Sequence, residues 1–278
     1  MKKTKDSASA TDPAVSPLTD QLAALHLPYM GSHYESMNSQ AIQQHWPPVD
    51  YLSRLVEGEL HHREERRIQR CIKAAHFPVL RTLEQFQWNW PKKINRIHVQ
   101  ELFRLAFIEH AGNVIFIGNV GVGKTHLSIA LGYAACRKGL SVLFTAAVDL
   151  VNVLVAASIT GCLKREMTKY LKPTLLIVDE VGYLPIDKRG ADLLFQVIAK
   201  RYEQGSLIIT TNRPYKRWPE IFNQDSTLTA ALLDRLLHHA DTILIEGNSY
   251  RMKDQIPPLE KTVIIENEIA EPASPVSV

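Results

Sequence analysis

The stretch "VIFIGNVGVGKTHLSIALGYAACRKG", residues 114–139, decides how the rest of the chain is read. Four apolar residues run into a glycine-rich turn, then Lys-Thr, then an amphipathic segment. Gly118, Asn119, Val120, Gly121, Val122, Gly123, Lys124 and Thr125 satisfy G-x-x-x-x-G-K-[ST]. Glycines let such a loop take positive φ and bring backbone N–H groups around phosphate oxygens. Lys124 then neutralises the β- and γ-phosphates, and the Thr125 hydroxyl ligates Mg²⁺. A helix starting at Thr125 points its positive dipole end at the same anion. The flanking strand and helix are the context this chemistry needs, so the loop is read as binding a nucleoside triphosphate.

Around it, short apolar runs ("VIFIG", "SVLFTAA", "TLLIVDE", "SLIITTN", "TILIEG") alternate with helical segments from Asn113 onward. Buried parallel strands joined by crossover helices produce this reading. The expected fold is α/β, a P-loop three-layer sandwich with a five-stranded, mainly parallel sheet over 111–253. Upstream, 19–110 reads as an all-α domain. Helices are expected to stop at Pro28 and at Pro47-Pro48. A long one from Val49 to about Ala75 carries Leu52, Leu55, Val56, Leu60, Ile68 and Ile72 at helical spacing. A last helix, "INRIHVQELFRLAFIEH", leads to Gly112. Residues 1–18 read as a disordered start and 254–278 as an acidic, flexible tail, in which "TVIIE" is a candidate edge strand.

"TLLIVDEVGYLP" supplies the second half of the site. A buried strand delivers Asp179, able to hold Mg²⁺ directly or through water. Glu180 follows, placed to orient and polarise an attacking water as a hydrolase requires; a solvated strand-end acid is the competing reading. "DEVG" also meets the D-x-x-G of GTPases, but no N-K-x-D for guanine accompanies it. The next strand commonly lies between those of the loop and Asp179, so Asn212 at its end would face the γ-phosphate and position water, although Asn-Arg-Pro is also a good turn. In "LTAALLDRLLHHA", Arg235 could reach a neighbouring subunit's γ-phosphate or form an ordinary surface pair with Asp234. Arg251, just past the last strand, could sense phosphate in its own subunit.

The chain has 278 residues, 45% apolar and 22% charged, with net charge +3. A nucleic-acid partner therefore has to be argued from where charge sits. "HHREERRIQRCIK" clusters Arg63, Arg66, Arg67, Arg70 and Lys73 on one helix, and Lys92 and Lys93 adjoin Trp88 and Trp90. Such a stripe fits sequence-indifferent contact with a phosphate backbone; a solvated helix face is the alternative, and the tryptophans read as packing residues. Cys71, Cys136 and Cys162 form no C-x-x-C pair, which argues against disulfides and zinc and for a reducing compartment. The pairs His61/His62 and His238/His239 lack zinc-ligand spacing and read as surface histidines. No secretory h-region or bilayer-length apolar run occurs, so a cytoplasmic protein without membrane contact is expected.

Together, "GVGKTHL", "LLIVDEVGYLP", "LIITTNRP", "LLDRLLHHA", "EGNSYR" and the upstream "FPVLRTLEQFQWNWPKKINR" resemble the IstB-like family over about 20–253. These are helper ATPases of insertion-sequence transposition, similar to the helicase loader DnaC and of the AAA+ class. The resemblance implies ATP hydrolysis with ATP and Mg²⁺, assembly on double-stranded DNA as a homo-oligomer with ATP sites shared between subunits, and delivery to a cognate transposase. It also implies sensing at Asn212, a trans-acting finger at Arg235 and a second sensor at Arg251. Unlike most AAA+ proteins, only a short tail follows Arg251, too short for the usual helical lid. A helicase loader is the near rival. A P-loop small-molecule kinase, disfavoured by Glu180 beside Asp179, and a nucleotide-gated scaffold are the rivals of other classes.

Overall fold

The computed structural model describes residues 17–253; the terminal readings for 1–16 and 254–278, the "TVIIE" strand among them, lie outside the described residues. Three helices come first: α1 (Pro17–Ala24), α2 (Pro28–Gln43) and α3 (Pro48–Ala74). The prolines mark boundaries as expected, and Pro28 and Pro48 themselves open the next helix, where a missing N–H costs nothing. Pro17 and Leu18, read as part of the disordered start, belong to α1.

The long helix does not bury the stripe expected of it. Leu55 is 3% exposed, but Leu52, Val56 and Leu60 are 54%, 42% and 61% exposed. The first half of α3 packs along one side only, against α2, while its last turns bring Cys71, Ile72 and Ala75 onto the core of the α/β layer. An amphipathic pattern gives a direction of burial, not a partner. The last upstream helix is also broken, into α4 (Arg96–Leu102) and α5 (Ala106–Glu109). Asn95 caps α4 by accepting the His98 N–H at 3.0 Å. Leu105, 2% exposed, turns through φ 65° between the two pieces and buries its side chain in the core shared with the sheet.

The α/β layer runs β1 (Asn113–Gly118), α6 (Lys124–Arg137), β2 (Val142–Ala146), α7 (Ala147–Ile159), α8 (Leu163–Leu171), β3 (Leu175–Val181), α9 (Lys188–Arg201), β4 (Ser206–Thr211), α10 (Ser226–Leu237) and β5 (Ala240–Ile245). Short 3₁₀ segments lie at Tyr215–Glu220 and Tyr250–Met252. All five strands are parallel, in the order β2-β3-β4-β1-β5. Successive side chains of a strand face opposite sides, and β1 splits accordingly. Val114 and Phe116 join Leu127, Leu131, Ile177 and Ile208 on one face. Ile115 and Ile117 join Leu150, Leu154, Leu194, Trp218 and Leu232 on the other. The sheet is thus sandwiched between helical layers. The segment from Ala75 to Leu105, including Phe86, Val99 and Leu102, shares the first of these cores with the sheet. Main-chain contacts reinforce the join, with Phe144 N–H donating to Ala75 O at 2.8 Å and Lys93 bridging Glu246 beyond β5.

Candidate nucleotide site

Adjacent strands β1, β4 and β3 end at the same edge, which carries the loop, Thr210–Asn212 and Asp179–Glu180 respectively. Gly121 and Gly123 take φ 77° and 101°. Both are also sterically closed to side chains: a Cβ on Gly121 would strike Ser249 Oγ, and one on Gly123 would lie 2.6 Å from Phe86 Cε2. The loop is thereby clamped from two sides, and Tyr250 N–H donates to Gly121 O at 2.9 Å. Its amides lead into the N-terminus of α6, a fourteen-residue helix beginning at Lys124, where partial positive charge collects.

Lys124 Nζ donates to Gly118 O at 2.8 Å and Asn119 O at 2.7 Å. Burial lowers its pKa, the neighbouring Asp179 and Glu180 opposing the shift and Arg251 adding to it. Thr125 Oγ1 lies 3.0 Å from both Asp179 carboxylate oxygens. Asp179 is 5% exposed; burial pushes its pKa up, against hydrogen bonds from Thr210 and Thr125 and the charge of Lys124. A hydroxyl and a buried carboxylate converging in this way form an all-oxygen donor set suited to Mg²⁺, a hard cation that takes one or two carboxylates and the substrate's phosphates.

Glu180 adopts φ 61° at a register shift between β3 and β4. The left-handed conformation, unfavourable for a non-glycine residue, lets Asp179 turn inward while the next side chain projects into the open. Glu180 is exposed and, with Asn212 and Arg251, lines a cleft of about 590 Å³ over the loop. Sequence reasoning missed several of the cleft's walls. Thr211, Tyr183 and Tyr250 line it, as do Arg81, Gln85, Phe86 and Trp90 from the non-helical segment before α4. Phe86 meets His126 edge-on at 5.5 Å, and the His126 Nε2 sits 2.9 Å from Thr82 O. The two threonines of "LIITTN", polar in an otherwise apolar strand, were the available signal for Thr210 and Thr211.

Arg235 does not line this cleft. Its guanidinium lies 5.2 Å from the Phe195 ring centroid and donates to Ala231 O at 2.9 Å. The basic cluster is similarly divided. Arg63 donates to His26 O at 3.0 Å and pairs with Glu59 at 3.5 Å; Arg67 donates to Gly139 O at 3.1 Å. Lys93 pairs with Glu246 at 3.8 Å. Arg66, Arg70, Lys73 and Lys92 are exposed, the first three at i, i+4 and i+7 on one face of α3. Trp88 packs edge-on against Phe86 at 4.9 Å, and the Trp90 indole N–H donates to Asn248 O at 2.9 Å. Cys71, Cys136 and Cys162 are free thiols. No helix among the described residues is long and apolar enough to cross a membrane.

A parallel sheet in this order, with a glycine loop after β1, an Asp-Glu pair at the end of β3 and a polar end on the intervening β4, defines a nucleotide-binding P-loop protein. The chain belongs to the IstB-like ATP binding protein family, whose model matches residues 20–257. It is 39% identical over 231 residues to the putative ATP-binding protein of insertion sequence IS5376 from Geobacillus stearothermophilus, covering 83% of this chain and 92% of the relative. It is 40% identical over 237 residues to that of IS232 from Bacillus thuringiensis subsp. berliner, covering 85% and 94%. Among solved structures, AMPPCP-bound DnaA from Aquifex aeolicus shares the fold at 23% identity and TM-score 0.51, over 62% of this chain and 52% of that one. DnaI shares it at 18% identity and TM-score 0.51, over 61% and 89%.

Proposed function

We propose that this protein is an ATP-hydrolysing helper of insertion-sequence transposition that assembles on double-stranded DNA and recruits or stimulates a transposase. The observation that carries the reading is the convergence of Thr125, Asp179 and Glu180 at one sheet edge, in a chain whose relatives are insertion-sequence ATP-binding proteins.

In this reading the amides of Gly118–Thr125 hold the β- and γ-phosphates, with Lys124 leaving its carbonyl partners for them. Thr125 Oγ1 and Asp179 would hold Mg²⁺, which when bound neutralises charge on the phosphates. Glu180, exposed at the cleft, orients a water against the γ-phosphorus and accepts its proton as ADP leaves. Asn212 positions the same water, and Arg251 senses the phosphate in cis. Arg235, on α10 and outside its own cleft, serves the site of the next subunit in a homo-oligomer. The helical region 19–110 contacts DNA or partner through the exposed face of Arg66, Arg70 and Lys73, with Lys92 as a further contact.

The test is steady-state ATP hydrolysis with and without duplex DNA, for the wild type and Glu180→Gln, with DNA retention followed in parallel. DNA-stimulated turnover, together with a variant that retains ATP and DNA but turns over at least about a hundredfold slower, is the expected outcome. Turnover indifferent to DNA, with no retention by either protein, would overturn the DNA-coupled reading.

A further inference from the structure

The paired histidines 238 and 239, which local spacing alone makes surface residues, acquire a third neighbour in the tertiary structure. Glu203 joins them, and one ligand atom from each of the three residues lies within 4.8 Å of the others. We propose that Glu203, His238 and His239 form an open binding site for a divalent transition-metal ion of the zinc type, remote in role from the Mg²⁺ of the nucleotide cleft.

The donor set is two imidazoles and one carboxylate, the mixture that suits zinc and its neighbours rather than magnesium or calcium. Three protein ligands leave a coordination position for water or an incoming donor. The site is also built on fixed backbone. His238 follows the last turn of α10, its N–H donating to Asp234 O at 3.2 Å. The carbonyl of His239 accepts the Asn113 N–H at 2.7 Å, at the start of β1. Glu203 sits at φ 57° in the tight turn between α9 and β4, where Gln204 and Gly205 N–H groups both donate to Arg201 O.

An independent contact orients the first imidazole. Tyr202 Oη lies 2.8 Å from His238 Nδ1. A hydrogen bond to the ring sets the imidazole plane, the outer-shell device common to histidine-ligated ions. Tetrahedral ligands at metal distances of 2.0–2.1 Å stand roughly 3.4 Å apart. All three side chains are exposed and can close from 4.8 Å by rotamer adjustment. The site lies one helical turn beyond Arg235, so an ion there would sit on the same surface as the arginine assigned to the neighbouring subunit.

The experiment is calorimetric titration of zinc chloride into the untagged, chelator-treated full chain, repeated with cobalt to read the visible absorption of low-coordinate Co²⁺. Saturable uptake of one ion per chain is expected, weakened at least tenfold in Glu203→Gln and in the double variant His238→Asn/His239→Asn. His61→Asn, at the other histidine pair, should leave it unchanged. Melting curves with retained ATP binding establish that the variants are folded. Absence of saturable uptake would overturn the proposal, as would uptake that persists in the double variant, because the ion would then be held elsewhere.

Discussion

The Thr210 hydroxyl donates to Asp179 Oδ1, and its oxygen accepts the Glu180 N–H at 2.9 Å. One side chain on the central strand therefore holds both acids of β3 in place, the buried one through its carboxylate and the exposed one through its backbone. Thr210→Val removes both contacts while keeping shape. Loss of a hydrogen bond to a charged group costs about 1.5–3 kcal/mol, so turnover is expected to fall about tenfold or more. Thr210→Ser should restore most of it. Equal activity of the valine and serine variants would contradict the role.

Asp179 is predicted to trade stability for function. Burial raises its pKa, so the folded state disfavours the charged form. The contribution of a group raised in this way is present below the ordinary Asp range and is lost as pH rises through the folded value. At neutral pH, Asp179→Asn should therefore melt at or above the wild-type temperature without nucleotide, while ATP turnover is abolished. A clear drop in melting temperature would contradict this sign.

Arg201 is 1% exposed and donates to the carbonyls of Tyr170, Leu171, Pro173, Thr174 and Ser206. Burial pushes its pKa down to about 10, so it remains charged at neutral pH. It gathers the end of α8 and the starts of β3 and β4 around one guanidinium. Arg201→Met strands several carbonyls and should destabilise the fold by about 3 kcal/mol or more, read by chemical denaturation. Arg201→Lys should rescue little, because an ammonium lacks the planar fork.

The basic residues of α3 should separate into two classes. Arg66→Gln/Arg70→Gln/Lys73→Gln is expected to lower the slope of log affinity against log salt by about 3 in DNA binding, at roughly 0.9 per phosphate contact. Arg67→Ala should chiefly lower stability, since it removes the tie to Gly139 O. Equal salt slopes for the triple variant and the wild type would remove this helix from the DNA interface.

The nucleotide loop was legible in the sequence because its chemistry is local. Consecutive amides, one lysine and one hydroxyl make the proposed site, and glycine is favoured where φ is 77° and 101°. Strand assignment was legible for a related reason, since runs such as "TLLIVDE" are apolar on both faces. The exposure of Leu52, Val56 and Leu60 was not legible, because helical spacing marks a stripe without saying what covers it. The break at Leu105 was hidden as well: a leucine turning through φ 65° leaves no trace in periodicity.

What the sequence by itself determined is therefore the class of fold, carried by apolar runs that alternate with helical segments; the glycine-lysine-threonine pattern and the Asp179-Glu180 pair are each local to a few consecutive residues. Only the tertiary structure decided what lies across gaps in the chain. It put Thr210 against Asp179, Phe86 against the loop, and Glu203 beside His238 and His239. It also tied Arg63 and Arg67 to main-chain carbonyls distant in sequence and left Arg66, Arg70 and Lys73 exposed on the surface. The physical reason is the parallel sheet. Its crossover connections bring distant strand ends to one edge, and which side chains meet there depends on strand order and register, which no local pattern carries.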